Sequence, residues 1–393
     1  MFWLFLAEFS KRALKAILLI FIARLLGVFQ FGQLSFATAF TVIFSIIANF
    51  GFGEINTRQL SQNQEQDNNA VISLQWTFSL VCLLLILILS SIFITDPIIL
   101  KLTWALAVVV VFNEMAEFLF SFFRANNKFI YEAIAKAIQG ILTTGLGLLI
   151  LFISLNILYI ILAYILGMLV MFLVVFYFYN RHFDFFKFKF NKETWIKYIK
   201  MSWPVGSMTV FALIYNYMDS VMLGFYNQIT EVGWYNAAHR IVFIVMLVPV
   251  LITRGFYPIM SKKFKHPGFR KVFFLELILM LITAIILVGA GIACSPLIIN
   301  IVYGAEYAPA IPAFVMLLLM SGTYFIIYLM YQILIVSNNQ RKIFWISLIG
   351  MVLNIILNFI LIPKYSLYGV AAATLITYIT MMVLSVCEAR RFI

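Results

Sequence analysis

Apolar runs of about 20 residues, separated by short clusters of charge, Pro, Asn and Gly, follow one another along the whole chain. A run of this length suits a helix that crosses a bilayer, whereas a membrane β-strand needs only about ten alternating residues. Hydrophobic residues make up 64% and charged residues 11% of the 393 positions. This composition excludes an ordinary soluble domain and a disordered chain. The sequence therefore predicts an all-α polytopic membrane protein.

Hydropathy and loop composition predict about 12 transmembrane helices. No basic region precedes Met1-Phe2-Trp3-Leu4 and no small-residue cleavage site follows, so we expect a retained first span rather than a removable signal. The expected spans are 2–24, 33–53, 70–94, 97–123, 128–152, 155–179, 201–225, 232–258, 272–301, 311–335, 343–363 and 367–387.

The longest polar stretch covers residues 180–200 and divides the predicted spans six and six. We therefore predict an N-terminal six-helix lobe over 1–180, a cytoplasmic inter-lobe loop over 181–200 and a C-terminal six-helix lobe over 201–393. Phe and Lys alternate in the loop, which favours a segment at the membrane interface with its lysines towards the head groups.

Most of the 27 Lys and Arg residues fall in one set of alternate loops, which includes the 180–200 stretch. The positive-inside rule then places both termini in the cytoplasm. This bias also accounts for most of the net charge of +12, so the charge does not indicate nucleic-acid binding.

Four segments carry a resemblance to a known family. They are Ala23–Gly32 (ARLLGVFQFG), Val232–Arg240 (VGWYNAAHR), Tyr303–Ala310 (YGAEYAPA) and Asn354–Pro363 (NIILNFILIP) followed by GVAAAT over 369–374. Together they resemble elements of the bacterial polysaccharide-repeat-unit flippases (Wzx-type) of the multidrug/oligosaccharidyl-lipid/polysaccharide (MOP) exporter superfamily. One departure is that residues 364–368 precede Gly369 where the family usually has a glycine soon after the proline, which predicts a differently shaped turn.

The resemblance implies a MOP/MATE-like architecture with two six-helix lobes around a central cavity and rocker-switch alternating access. It also implies the substrate, a polyprenyl-pyrophosphate-linked oligosaccharide such as an O-antigen or capsular repeat unit. Such a protein would lie in the bacterial inner membrane and move this substrate from the cytoplasmic to the outer leaflet. Membrane lipids and the polysaccharide polymerase machinery are the other implied partners.

Ionisable residues inside the predicted spans are the candidate site residues, because a charge facing lipid costs about 2.5–3.5 kcal/mol on insertion scales. Lys11 and Lys15 share one face of the first helix, with Arg12 beside them. Cations on cavity walls would hold a pyrophosphate, which Arg can bind in a bidentate manner. The predicted phosphate-binding residues are Lys11, Arg12, Lys15, Arg24 and Arg240.

Other intramembrane polar residues leave two interpretations open. Glu132 and Lys136 are spaced i, i+4 and can pair with each other, or they can line the transport path. Asp219 can bind a coupling ion or meet a lysine of the first helix. Asn354 and Asn358 share a helix face, which favours hydrogen bonds between helices over a place in the sugar path.

No G-x-x-x-x-G-K-[ST] motif occurs, so the chain has no ATP site of this type, and we expect the membrane potential or an ion gradient to drive transport. The three cysteines form no metal or disulfide pattern, so neither a metal nor another cofactor is expected.

The alternatives within the superfamily are a peptidoglycan lipid precursor flippase and a drug or cation antiporter. A polysaccharide polymerase or acyltransferase is a weaker alternative, because the predicted outer loops are short and lack catalytic His or paired Asp motifs. We therefore predict that the protein is not an enzyme. The sequence does not define its oligomeric state.

Overall fold

A computed structural model describes residues 2–64, 66–183 and 185–392, without the side chains of 2–9, 207–209 and 212. Within these ranges the regular elements are α-helices, with two short 3₁₀ segments at Ala305–Ala310 and Arg390–Phe392. The helices are α1 Phe2–Asn49, α2 Phe52–Ser61, α3 Asn68–Phe93, α4 Pro97–Ala125, α5 Phe129–Ser154, α6 Ile157–His182, α7 Lys192–Phe225, α8 Ile229–Lys263, α9 Phe269–Ala293, α10 Ser295–Val302, α11 Ile311–Val336 and α12 Gln340–Ala389.

The all-helical, multi-pass membrane fold expected from the sequence is confirmed. In the described part of the chain, nine helical segments are long and apolar enough to cross a membrane by length and composition. Two of the long helices each contain two of the predicted spans. α1 has a non-helical residue at Gly27 (φ 78°, ψ 174°), and α12 has one at Ser366 (φ 50°, ψ −127°).

Three predicted boundaries are wrong. Residues 25–32 are not an extended turn, because only Gly27 leaves the helical conformation there. A positive φ is readily adopted only by glycine, so one residue makes the break that we assigned to eight. The predicted loop after residue 53 contains α2, a short helix rich in polar residues. α7 begins at Lys192 rather than 201, so about half of the predicted 180–200 loop is helical.

The chain divides into two compact units, Met1–Tyr217 and Met218–Ile393, here called unit 1 and unit 2. In unit 1, α4 lies against α1, α3 and α6. A phenylalanine-rich core joins α3, α4 and α6, and its centre includes Phe118, Phe122 and Tyr179. The ring centroids of Phe122 and Tyr179 lie 5.0 Å apart in an edge-to-face arrangement, which is favourable for aromatic pairs. The predicted lobe boundaries, 1–180 and 201–393, stay a prediction.

Small residues allow α1 and α5 of unit 1 to lie close together. A Cβ atom added at Gly140 would lie 3.4 Å from Lys11 Cα, and one at Gly147 would lie 2.8 Å from Leu18 Cδ2. Glycines seven positions apart share one face of α5, and a face without side chains lets two membrane helices approach closely. This packing places Lys11 beside Gly140, which lies one helical turn from Lys136.

Unit 2 contains the end of α7 and α8 to α12. α11 is its central helix and packs against α8, α9 and α12. Its apolar centre includes Met280, Ala284 and Phe325, all buried. Around this centre, several polar side chains are buried on α7, α8, α9 and α12. Buried polar groups within a membrane bundle need partners from neighbouring helices, and these partners define the candidate sites.

Candidate functional site

Four charged side chains of α4 and α5 form a closed ring of ion pairs in unit 1. Arg124 Nη2 lies 2.6 Å from Glu117 Oε2 and 2.5 Å from Glu132 Oε1. Lys136 Nζ lies 2.8 Å from Glu117 Oε1 and 2.7 Å from Glu132 Oε1. Each carboxylate therefore contacts both cations, and the ring, here called the charge ring, has no net charge.

The charge ring exists because a short turn over residues 126–128 joins two antiparallel helices. Asn127 has a positive φ of 56°, which Asn tolerates better than most residues, and the chain reverses there. Glu117 and Arg124 lie seven residues apart on one face of α4, and Glu132 and Lys136 lie one turn apart on α5. The pairing predicted for Glu132 and Lys136 is confirmed. The predicted span 97–123 leaves out Arg124, which lies in the last turn of α4.

Burying the side chains of the charge ring costs desolvation free energy. Glu132 and Lys136 are 1% and 3% exposed, whereas Glu117 and Arg124 keep about a third of their surface open. A buried charge is tolerated only with a partner, and here each buried charge has two. The balanced ring is therefore a structural connection between α4 and α5, and Lys136 has no unsatisfied charge with which to attract a phosphate.

A polar cavity of about 270 Å³ adjoins the charge ring. Glu114 lines it and accepts hydrogen bonds from Asn49 Nδ2 at 2.9 Å and Asn113 Nδ2 at 3.1 Å. Glu54 and Glu117 also face the cavity, so carboxylates outnumber the single guanidinium of Arg124 along its wall. Like charges repel, so this cavity disfavours an anionic head group.

A second polar cluster surrounds Asp219 in unit 2, and we call it the Asp219 cluster. Asp219 is 2% exposed. Asn358 Nδ2 donates to its Oδ1 at 2.6 Å, Thr374 Oγ1 donates to its Oδ2 at 2.9 Å, and the Tyr235 hydroxyl donates to the same Oδ2. Asn358 Nδ2 also donates to Asn354 Oδ1 at 3.1 Å. The cluster thus joins α7, α8 and both sides of the break in α12.

The Asp219 cluster confirms that Asn354 and Asn358 make hydrogen bonds, which join α12 to α7 through Asp219. Its chemistry is that of a carboxylate surrounded by neutral amide and hydroxyl groups. Asn358 Oδ1 is buried and makes no hydrogen bond to the described residues. Carboxylate, amide and hydroxyl oxygens are the ligands that hard cations prefer, and a buried carboxylate can alternatively carry a proton.

A third buried carboxylate, Glu276 on α9, was not among the predicted site residues. It is 0% exposed, and Thr253 Oγ1 donates to it at 3.3 Å. With the Gln332 amide oriented to satisfy both its atoms, its Nε2 donates to Glu276 Oε1 at 2.7 Å and its oxygen accepts from the Tyr257 amide. A lone acid in the run LELILM was the available signal, but its partners on α8 and α11 could not be found without the fold.

The predicted phosphate-binding cations have different surroundings. Lys11 is partly buried and interacts electrostatically with Glu117 of the charge ring. Arg12, Lys15 and Arg24 are exposed on α1. Arg240 on α8 is half-buried and interacts electrostatically with Tyr303 and Tyr307, the buried tyrosines after α10. The arrangement within unit 1 brings Lys11 close to the charge ring. The role of these five cations in binding phosphate stays a prediction.

The comparison with protein-family models gives one match. The model of the polysaccharide biosynthesis protein family matches residues 1–264, about two thirds of the chain. The chain belongs to this family. A comparison with curated protein sequences gives no significant match.

A comparison with solved structures shows which fold this chain has. The inward closed conformation of the lipid II flippase MurJ aligns with a TM-score of 0.78 and 19% identity, covering 99% of this chain and 88% of that one. An inward-facing MATE multidrug resistance transporter of the MOP superfamily aligns with a TM-score of 0.79 and 13% identity, covering 97% and 94%. A MOP superfamily transporter from Pyrococcus furiosus aligns with a TM-score of 0.62 and 14% identity, covering 99% and 94%. The chain therefore has the MOP fold.

Proposed function

We propose that this protein is a flippase for a polyprenyl-pyrophosphate-linked oligosaccharide, an O-antigen or capsular or exopolysaccharide repeat unit. It would move this substrate by alternating access from the cytoplasmic to the outer leaflet of the bacterial inner membrane, with both termini in the cytoplasm. The observation that supports this most strongly is the match to the polysaccharide biosynthesis family over residues 1–264, in a chain with the MOP fold. MOP-fold proteins described as transporters and flippases support transport rather than catalysis.

The cations Lys11, Arg12, Lys15, Arg24 and Arg240 are the proposed contacts for the pyrophosphate. Their positive charge is the complement of a lipid diphosphate, and arginine presents two parallel N–H donors to such a group. Because the charge ring is electrically balanced and the cavity beside it is acidic, we assign the pyrophosphate to these five cations and not to Arg124 or Lys136.

The Asp219 cluster is the proposed coupling site. It offers a buried carboxylate, the unsatisfied Asn358 Oδ1 and the hydroxyl of Thr374 within one group of contacts. A cation or proton bound there would change the hydrogen bonds that join α7, α8 and α12, and so couple an ion gradient to helix movement. This site lies within unit 2, and its operation does not depend on a cofactor.

Complementation tests the substrate. The chain is expressed in one bacterial strain that lacks its repeat-unit flippase and in a second strain depleted of its lipid II flippase. Restored surface polysaccharide in the first strain and continued lysis of the second are the expected results. Failure in the first strain, with the protein present in the membrane at the level of a working flippase, contradicts the proposal.

The second candidate is a flippase for the peptidoglycan lipid precursor. The alignment with the lipid II flippase over 99% of the chain favours this second candidate. Both candidate substrates are lipid-linked saccharides. Rescue of the depleted strain without restored surface polysaccharide would support this candidate instead.

A further inference from the structure

The segment over residues 185–200, here called the Phe-Lys segment, is held in a fixed position on unit 1. The backbone amide of Lys187 donates to Asn69 Oδ1 at 2.9 Å, and that of Lys189 donates to Ser73 Oγ at 2.9 Å. Both acceptors lie on the first turns of α3. Alternate amides of an extended chain point to the same side, so these two bonds attach one edge of the segment to α3.

The phenylalanine rings of the Phe-Lys segment differ in how far they are exposed. Phe186 packs on Trp76, with ring centroids 4.3 Å apart. Phe185, Phe188 and Phe190 are 73%, 66% and 64% exposed. Phe190 packs edge-to-face on Trp195 of α7, with ring centroids 4.7 Å apart, and still keeps most of its surface open. A phenyl ring has no polar atom that would gain from contact with water.

Lysines alternate with phenylalanines along the sequence of the same segment. Lys189 Nζ lies 2.6 Å from Asp67 Oδ2, which fixes the direction of the chain. Four more lysines are exposed, and they extend from the strand-like part into the first turns of α7. These are Lys187, Lys192, Lys197 and Lys200. Exposed rings next to exposed lysines have the composition of a surface that sits in a membrane interface and contacts anionic head groups.

We propose that the Phe-Lys segment is a binding surface for anionic phospholipids of the cytoplasmic leaflet. Phe185, Phe188 and Phe190 lie among the acyl chains just below the head groups, and the four exposed lysines contact lipid phosphates. The two amide bonds to α3 make the surface a preformed one, so lipid binding orders no additional chain. The proposal concerns membrane lipids and does not depend on the transported substrate.

A second basic loop of the same chain differs from the Phe-Lys segment in its phenylalanine rings. Residues 262–271 also carry four exposed lysines, Lys262, Lys263, Lys265 and Lys271. The two phenylalanines of that loop, however, pack edge-to-face on each other with ring centroids 5.4 Å apart, and Phe269 is 5% exposed. This loop has the charge of the Phe-Lys segment without its exposed rings, and it provides a matched control.

The first experiment measures lipid selectivity. The full-length protein is reconstituted in phosphatidylcholine bilayers that contain spin-labelled phosphatidylglycerol or spin-labelled phosphatidylcholine, and the fraction of immobilised lipid is compared. Replacing Lys187, Lys192, Lys197 and Lys200 together by Ala is expected to remove most of the preference for phosphatidylglycerol, because each lysine near an anionic surface contributes about 1 kcal/mol. The same four-lysine replacement at 262, 263, 265 and 271 is expected to change it much less. Equal losses from the two variants would show a general charge effect and overturn the proposal.

The second experiment measures depth. A nitroxide is attached at Phe188→Cys in a chain whose exposed cysteines, Cys294 and Cys387, are replaced by Ser, and Lys263→Cys serves as the control position. We expect oxygen to relax the label at position 188 more than a water-soluble nickel chelate does, with the reverse order at position 263. A label at 188 that is open to nickel, or shielded from both agents by a protein surface, would contradict insertion into lipid.

Discussion

Asp219 and Asn358 are joined by a 2.6 Å hydrogen bond that spans 139 positions of sequence. Since Asp219 also receives bonds from Thr374 and Tyr235, a single carboxylate holds three helices of unit 2. Replacing Asp219 by Asn removes the charge and keeps the shape of the side chain, because Asn is nearly isosteric with Asp. This substitution separates the role of the charge from that of the packing.

Asp219→Asn is expected to abolish the response of transport to an ion gradient while the protein still folds. An amide cannot provide the negative charge that holds a cation or the site that takes up a proton. Flipping of a fluorescent lipid-linked saccharide in proteoliposomes, with sodium and proton gradients imposed separately, measures the response. Glu276→Gln, which also neutralises a buried acid of unit 2, is the control and should retain it. A variant at 219 that still responds to both gradients would exclude this site.

The charge ring makes a prediction about stability. Glu132→Ala removes one of the two carboxylates that pair with Arg124 and Lys136 in the ring, and the loss of one partner from a buried pair costs about 3–5 kcal/mol. Thermal unfolding in detergent should show a large fall in the transition temperature. Lys342→Ala breaks the more exposed pair with Glu388, which is 2.7 Å long, and should cost less than about 1 kcal/mol. Similar effects of the two variants would mean that the ring does not hold α4 to α5.

The proposed pyrophosphate contacts are tested by replacing Lys11, Arg12, Arg24 and Arg240 by Ala, one at a time. Loss of a charged hydrogen bond to phosphate weakens binding by about 1.5–3 kcal/mol, so surface polysaccharide in the complemented strain should fall about tenfold or more. Lys101→Ala, at an exposed position of α4, is the control. If all four variants export at the level of the parent protein, these residues do not bind the pyrophosphate.

A membrane potential should accelerate outward movement of the substrate. Moving an anion out of a negative interior gains about 2.3 kcal/mol per charge per 100 mV, and a lipid pyrophosphate carries about two charges. Proteoliposomes with a potassium diffusion potential set by valinomycin measure this effect. An equal rate at zero and at negative interior potential would exclude electrophoretic driving and leave the ion gradient as the energy source.

Asp67 predicts a pH-dependent contribution to stability. Burial raises the pKa of this carboxyl, but hydrogen bonds from Lys189 and from the Ala70 amide, with the charge of Lys189, outweigh burial and hold the pKa below its ordinary 3.8. A lowered folded-state pKa stabilises the protein above the unfolded-state value, and this stability is lost as the pH falls through the folded-state pKa.

Asp67→Asn isolates this charge effect, because Asn can still cap α3 at the Ala70 amide. Near pH 7 the variant should be less stable by under about 1 kcal/mol, since Lys189 is 57% exposed and its pair is screened. The difference from the parent protein should shrink as the pH falls below about 4. A difference that stays constant from neutral to acid pH would assign it to packing instead.

The sequence predicted those features that depend on local spacing. The helices followed from apolar runs, and the pair of Glu132 with Lys136 followed from an i, i+4 interval. The contacts of Arg124 with Glu117 and Glu132 were not predicted, because they depend on how α4 and α5 lie after the turn at Asn127. The partners of Glu276 were missed for the same reason. α2 was missed because its polar composition is typical of a loop, although one face of it packs on the phenylalanine-rich core.

Gly27 divides α1 into two helical parts that meet at this one residue. The break lies at one residue, so this joint can straighten by rotation about the backbone bonds of Gly27 alone. A residue with a Cβ atom would be strained at φ 78°, so substitution of Gly27 would fix the joint or distort it. The direction of each part of the long first helix is therefore set at this single residue.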